Sequence, residues 1–166
     1  MNTKSLFVSL VVLISILVSA CAPSAAGQSE EAPPDAIVKS YIETANSGDF
    51  DKAFAFYAND AVVKLNDGRT FTGREEIGKW LQEDVKGTHS VPTDFNVSGD
   101  VVTVHGMVTL ARFEPLGINP IAYDLTVVMK NGKIALFIPK LLLTPEQQAK
   151  IATATAQDAP MATATP

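Results

Sequence analysis

Apolar and polar positions follow three different rhythms along this chain. Residues 6–20 (LFVSLVVLISILVSA) are almost continuously apolar, and residues 22–34 hold almost nothing worth burying. From Asp35 a helical period takes over: Ile37, Val38, Tyr41, Ile42 and Ala45 share one stripe, which predicts a helix over Asp35–Ser47. Pro33 and Pro34 precede it, where a missing N–H costs least, and Gly48 ends it. Phe50, Ala53, Phe54 and Tyr57 repeat the spacing and predict a second helix over Asp49–Tyr57, followed by a short strand at Ala61–Leu65 and a turn at Asp67-Gly68. Thr72-Gly73-Arg74-Glu75 has the spacing of a capping box, in which Glu75 would reach back to Thr72. The helix it opens, about Arg74–Val85, lines up Ile77, Trp80, Leu81 and Val85.

Beyond Gly87 the period becomes two. Val91–Val97, Val101–Phe113, Ile121–Met129 and Ile134–Leu142 read as strands, with turns at Ser98-Gly99-Asp100 and at Asn131-Gly132, a pair that tolerates positive φ. Thr144-Pro145-Glu146-Gln147 begins a last capped helix to about Ala152, and the Ala/Thr-rich tail 153–166 is expected to be disordered. Helices followed by strands, without strand–helix–strand alternation, imply an α+β domain with the helices on one face of a curved antiparallel sheet. Alternation along 101–113 gathers Val102, Val104, Val108 and Leu110 on one side. That stripe is covered either by the helices or by a second copy of the chain, so a homodimer belongs among the expectations.

The first 20 residues read as an export signal, with Lys4 in a positive n-region and Leu6–Val18 as the h-region. The apolar run is short for a membrane span, which needs about 20 residues. Val18-Ser19-Ala20-Cys21 resembles a bacterial lipobox. The resemblance implies lipidation of Cys21, cleavage before it, and a lipid-anchored, extracytoplasmic protein of the cell envelope. Residues 21–34 would then be a flexible tether, and residues 35–152 the folded domain.

Composition narrows the chemistry. With 13 Lys+Arg against 18 Asp+Glu and no basic cluster, nucleic acid is not an expected partner. One cysteine excludes a disulfide framework or a cysteine zinc site, and two histidines outside any HxH or HExxH spacing give no metal centre. No G-x-S-x-G elbow and no glycine-rich phosphate loop occurs, so no cofactor is implied.

YIETANSGDFDKAFAFYANDAVV (41–63), GREEI (73–77), VSGDVVTVHG (97–106) and YDLTVVMKNGKIALF (123–137) together resemble the SnoaL-like branch of the nuclear-transport-factor-2-like superfamily. The resemblance implies a cone: a strongly curved antiparallel sheet around helices, with a pocket between them. It spans isomerases, cyclases, dehydratases and binding modules, so activity does not follow from fold. Aligned to the ketosteroid isomerase pattern, Tyr41 falls at the position of the oxyanion-hole tyrosine and Asp124 at that of the oxyanion-hole aspartate. The general-base position is Leu65, which cannot accept a proton.

Tyr41, Asp124 and His105 are therefore the polar pocket candidates, with Phe54, Tyr57, Leu65 and Trp80 as pocket wall. Asp124 shares a strand face with Ala122, Thr126 and Val128, and His105 with Thr103, Met107 and Thr109. Alternation alone leaves open whether those faces look inward. The leading expectation is a membrane-tethered, non-catalytic module with a hydrophobic pocket for a small apolar molecule. An isomerase-, cyclase- or dehydratase-type enzyme using Tyr41 and Asp124, and a structural dimerisation or protein-interaction module, are the alternatives.

Overall fold

The computed structural model describes residues 32–158, so the expected signal segment, Cys21, most of the expected tether and residues 159–166 lie outside it. Chain order is α1 (Pro34–Asn46), α2 (Phe50–Phe54), β1 (Tyr57–Lys64), β2 (Thr70–Thr72), α3 (Gly73–Glu83), β3 (Thr88–Ser98) and β4 (Val101–Leu110). A 3-10 turn (Ala111–Leu116), β5 (Ile121–Lys130), β6 (Lys133–Leu142) and α4 (Pro145–Asp158) complete it.

The strands form one open six-stranded sheet in the order β2-β1-β6-β5-β4-β3. Every neighbouring pair is antiparallel except β1 and β6. Register shifts interrupt the β3–β4 pairing between Pro92 and Asp94, with Thr93 extra on β3, the β5–β6 pairing at Val128 and Met129, with Ala135 extra on β6, and the β1–β6 pairing between Tyr57 and Val62. Each extra residue bends its strand and increases the local twist, which curves the sheet around the helices. At the β5–β6 hairpin, Asn131 (φ 51°) and Gly132 (φ 67°) both take the left-handed conformation that the two-residue turn demands.

β4 and β5 alternate strictly. Val102, Val104, Val108 and Leu110 point to the helices, as do Ile121, Tyr123, Leu125, Val127 and Met129. The apolar β4 stripe is thus covered from within the chain, and the exposed dimer patch considered from sequence is not there. Onto this inner face α1 sets Val38, Tyr41 and Ile42, packing against β3 and β4, and α3 sets Ile77, Trp80 and Leu81, packing against β1. Full burial of such a side chain contributes about 1.5–3 kcal/mol, so these stripes dominate the stability of the domain. The core cluster runs from Val38 to Phe137, and the layer packed against it from Ile37 to Ile151. Every core residue among those described lies within the compact unit that begins at Ala32.

Several boundaries differ from the periodicity. α2 ends at Phe54, and Tyr57 opens β1, where Ile134 of β6 is its register partner, so Tyr57 is not a helical residue. The capping residue of α3 is Glu76, whose carboxylate accepts from the Thr72 N–H at 2.6 Å. Gly73 takes φ 74° there, which delays the first turn by one residue and puts Glu75 out of reach. β4 stops at Leu110 because Asn119 clamps it: its side chain accepts from the Leu110 N–H at 3.2 Å and donates to the Leu110 carbonyl at 2.8 Å. The Thr144–Gln147 capping box forms as the spacing indicates, and Gln147 also donates to the Ile118 carbonyl at 2.9 Å. The helix it starts runs to Asp158, six residues past its expected end, so 153–158 are helical and not tail.

Asn46, the last residue of α1, holds helix to sheet. It donates to the Ser90 carbonyl at 2.7 Å and accepts from the Ser90 N–H at 2.8 Å. Loss of both bonds strands two half-buried backbone groups, so Asn46→Ala should cost about 1–3 kcal/mol in urea denaturation. A change within a few tenths of a kcal/mol would mean that the clamp contributes nothing.

Candidate functional site

Between α1, α3 and the inner face of β4–β6 lies a cavity of about 530 Å³. Its walls are mainly apolar: Leu65, Trp80, Val108, Leu110, Leu125 and Phe137 line it, with Leu143 and Ile151 contributed from the chain around α4. Arg69, Asp67, Asp84 and Arg112 also border it. Their solvent-exposed ends mark them as the rim, and they hold one another: Arg69 lies 2.8 Å from Asp67 and 3.1 Å from Asp84, and Arg112 lies 3.8 Å from Asp84. The Arg69 backbone N–H, and then the Arg69 guanidinium, hold the Asp67 carboxyl below the usual carboxylate range.

The interior polar groups are the amide of Asn46 and several hydroxyls. Tyr41 is 3 % exposed and lines the cavity; Tyr57, equally buried but behind the wall, donates its hydroxyl to the Tyr41 hydroxyl at 2.9 Å. The pair shares one hydrogen bond, and Tyr41 is the member that borders the cavity. The two rings cross edge to face at 5.4 Å, and Tyr41 makes the same kind of contact with Phe137. Trp80 packs on both Phe71 and Phe137. An aromatic cluster thus fixes the orientation of Tyr41 from several sides. Tyr123, from β5, adds a third hydroxyl to the site, and it lines the cavity directly.

The residues singled out from sequence are divided by the structure. Tyr41, Leu65 and Trp80 line the cavity, and Tyr57 supports Tyr41 from behind. Asp124 and His105 do not reach it. They are register partners on β5 and β4, in the opposite phase from Tyr123 and Val104, and meet on the outer face with His105 Nδ1 2.6 Å from Asp124 Oδ1. Their side chains are 51 % and 34 % exposed, so this is a surface pair, of a type that typically contributes about 0–1 kcal/mol. Phe54 is not pocket wall either. Because α2 ends there, its ring turns to α3, where the Arg74 guanidinium sits 4.4 Å above it. Tyr123 was missed, and its signal is the alternation itself: once Asp124 points outward, its neighbour must point in.

What this arrangement can do chemically is bounded. Among the described residues, the carboxylates bordering the cavity are Asp67 and Asp84, both tied to arginine at the rim, and no histidine borders it. No group of three or more His, Cys, Asp or Glu among the described residues is placed to hold a metal ion. The interior therefore offers hydrogen-bond donors in an apolar enclosure.

All three tyrosines of the chain are in this cluster, and burial raises each phenol above its ordinary value; for Tyr57 the neighbouring Tyr41 adds to the rise. Unfolded tyrosines ionise near pH ~10. The folded chain keeps its protons through that range, so the stability these groups contribute is complete below pH ~10 and is lost as pH rises above it. Tyrosinate absorbance should stay absent just above pH ~10 and then appear together with loss of structure. A gradual rise centred on ~10 in the folded protein would contradict this placement.

Residues 38–137 match the SnoaL-like domain family. No curated protein matches the chain significantly. Among solved structures, a protein of Sinorhizobium meliloti provisionally named a polyketide cyclase is 26 % identical (TM-score 0.57), aligning over 63 % of this chain and 94 % of its own. One of Kribbella flavida provisionally named a ketosteroid isomerase is 17 % identical (TM-score 0.58), over 67 % and 78 %. An NTF2-like protein of unknown function from Cytophaga hutchinsonii is 14 % identical (TM-score 0.57), over 66 % and 90 %. The curved, unclosed sheet with its inner helices is the cone fold of these neighbours, and the chain belongs to the SnoaL-like family.

Proposed function

We propose that this chain is a lipid-anchored, extracytoplasmic binding module whose cavity takes a small apolar molecule and does not transform it. The observation that carries the reading is the cavity: its size falls within the ~300–1,000 Å³ of small-molecule sites, with apolar walls and a few convergent hydroxyls. A general base must come within about 3 Å of the proton it removes, directly or through one water. Leu65 occupies the wall at the position where the isomerase pattern has its base, and Asp124 faces the other side of the sheet. Turnover of the isomerase, cyclase or dehydratase kind, argued from Tyr41 and Asp124, thus keeps the tyrosine but loses the aspartate, and it has no carboxylate at the base position. The polyketide cyclase name belongs to the Sinorhizobium relative, whose identity to this chain is modest. The anchoring half of the reading rests on Val18-Ser19-Ala20-Cys21 and the polar segment after it.

Trp80 is the single tryptophan and lines the cavity, so its emission reports occupancy. The neutral fluorophore N-phenyl-1-naphthylamine should quench Trp80 saturably in the chain from Ala32. Ala45→Phe, which extends a ring from the α1 wall into empty space, should weaken that binding about tenfold without lowering stability. Quenching that never saturates, or that ignores Ala45→Phe, would remove the cavity from the account. In bacteria producing the full chain, a clickable palmitate analogue should label it, and Cys21→Ser should abolish the label. Equal labelling of both would refute the anchor.

A further inference from the structure

The last helix is fastened to the domain at one end. α4 follows β6 through Leu143-Thr144, and its start is fixed by the Thr144–Gln147 cap and by the Gln147 amide, which donates to the Ile118 carbonyl at 2.9 Å. Past Gln147, the side-chain hydrogen bonds that the described residues of α4 show stay inside the helix or reach back to Leu143, and the Glu146–Lys150 ion pair is internal too. Packing is equally thin. Of the α4 side chains described none is fully buried, and the half-buried ones, Gln147, Ile151 and Ala154, make a stripe at i, i+4 and i+7. Ile151 is the one large apolar residue of the helix.

These few contacts fall at the mouth of the cavity. Leu143 and Ile151 line it, and the main neighbour of α4 is the 3-10 turn, which carries the rim residue Arg112 and the lining residue Phe113. Nothing in the helix itself compensates for so light an attachment. A helix of 14 residues is marginal in water without tertiary packing. The Thr153 and Thr155 hydroxyls bond back to the carbonyls of Ala149 and Ile151, an arrangement that slightly destabilises a helix. A segment with this little buried surface opens at far lower cost than the strands beneath it.

The same geometry makes docking of α4 depend on what the cavity holds. A molecule lying against Leu143 and Ile151 adds apolar contact to the docked helix and none to the undocked one, so occupancy favours closure. Resting on the binding reading above, we propose that α4 is a hinged lid: it turns about Leu143-Thr144, admits the ligand when Ile151 leaves the mouth, and retains it when Ile151 returns.

The test is stopped-flow quenching of Trp80 by N-phenyl-1-naphthylamine in three forms of the full chain, each released from the bacterial envelope without detergent: unaltered, Ile151→Ala, and ending at Thr144. A lid limits passage in both directions. Ile151→Ala should therefore raise the association and dissociation rate constants together, by up to about tenfold, with a smaller change in Kd, and loss of α4 should raise both further. A plain wall residue would raise the dissociation rate alone. Hydrogen exchange gives an independent readout: amides of α4 should exchange well before those of β4–β6 in the empty protein and slow when the fluorophore is bound. If quenching saturates but the two altered chains keep the original association rate, or α4 is as protected as the sheet, α4 is a fixed wall and the lid falls while the binding reading stands. If quenching saturates in none of the three, the binding reading falls and takes the lid with it. A chain ending at Thr144 that no longer folds would mark α4 as structural and overturn the proposal.

Discussion

The structure depends on one geometric constraint: the inner face of the curved sheet is larger than the helices available to cover it. α1 covers the side near β3 and β4, and α3 the side near β1. Between them the inward residues of β5 and β6, among them Leu125, Phe137 and Leu141, border open space. Three register shifts create the curvature, and curvature prevents the two helices from meeting over the middle strands. The cavity is what remains. It is apolar for the same reason that the core is, since both are built from one alternation of residues along β4, β5 and β6.

Around that space the polar groups fall into two kinds. Asn46 and Asn119 spend both ends of their amides on backbone groups of Ser90 and Leu110, and so act as fasteners. Tyr41 and Tyr123 bring phenol groups to the cavity lining, the first hydrogen-bonded to Tyr57 and the second beside Ser90. Charges stay at the rim, where Arg69 bridges Asp67 and Asp84 at exposed positions. On the proposed reading, a cavity arranged in this way recognises its ligand chiefly by shape and apolar surface.

Much of the fold was legible in the chain because the signals were periodic. The stripes of α1 and α3, the Asn131-Gly132 hairpin and the Thr144–Gln147 cap appear as the spacing indicates. What escaped was long-range. β2, three residues long, exists only by pairing with β1, and the parallel β1–β6 contact joins residues 74 to 77 apart in sequence. The candidate site suffered from phase. Period two separates Asp124 from Tyr123 with certainty but does not say which of them meets the helices; that follows from Ile121, Leu125 and Val127 lying in phase with the tyrosine. Leu65 and Tyr41 escaped the ambiguity because each lies next to an element whose buried side was clear.

The central claim is that the cavity is a binding site, and native mass spectrometry tests it most directly. The full chain, expressed in a bacterial host and released from its envelope without detergent, would be desolvated gently and weighed. The account expects a defined excess mass from a neutral small molecule, released on activation and reduced in an Ala45→Phe protein. A chain that always weighs only its own covalent mass, whatever the host and however gentle the release, would contradict it.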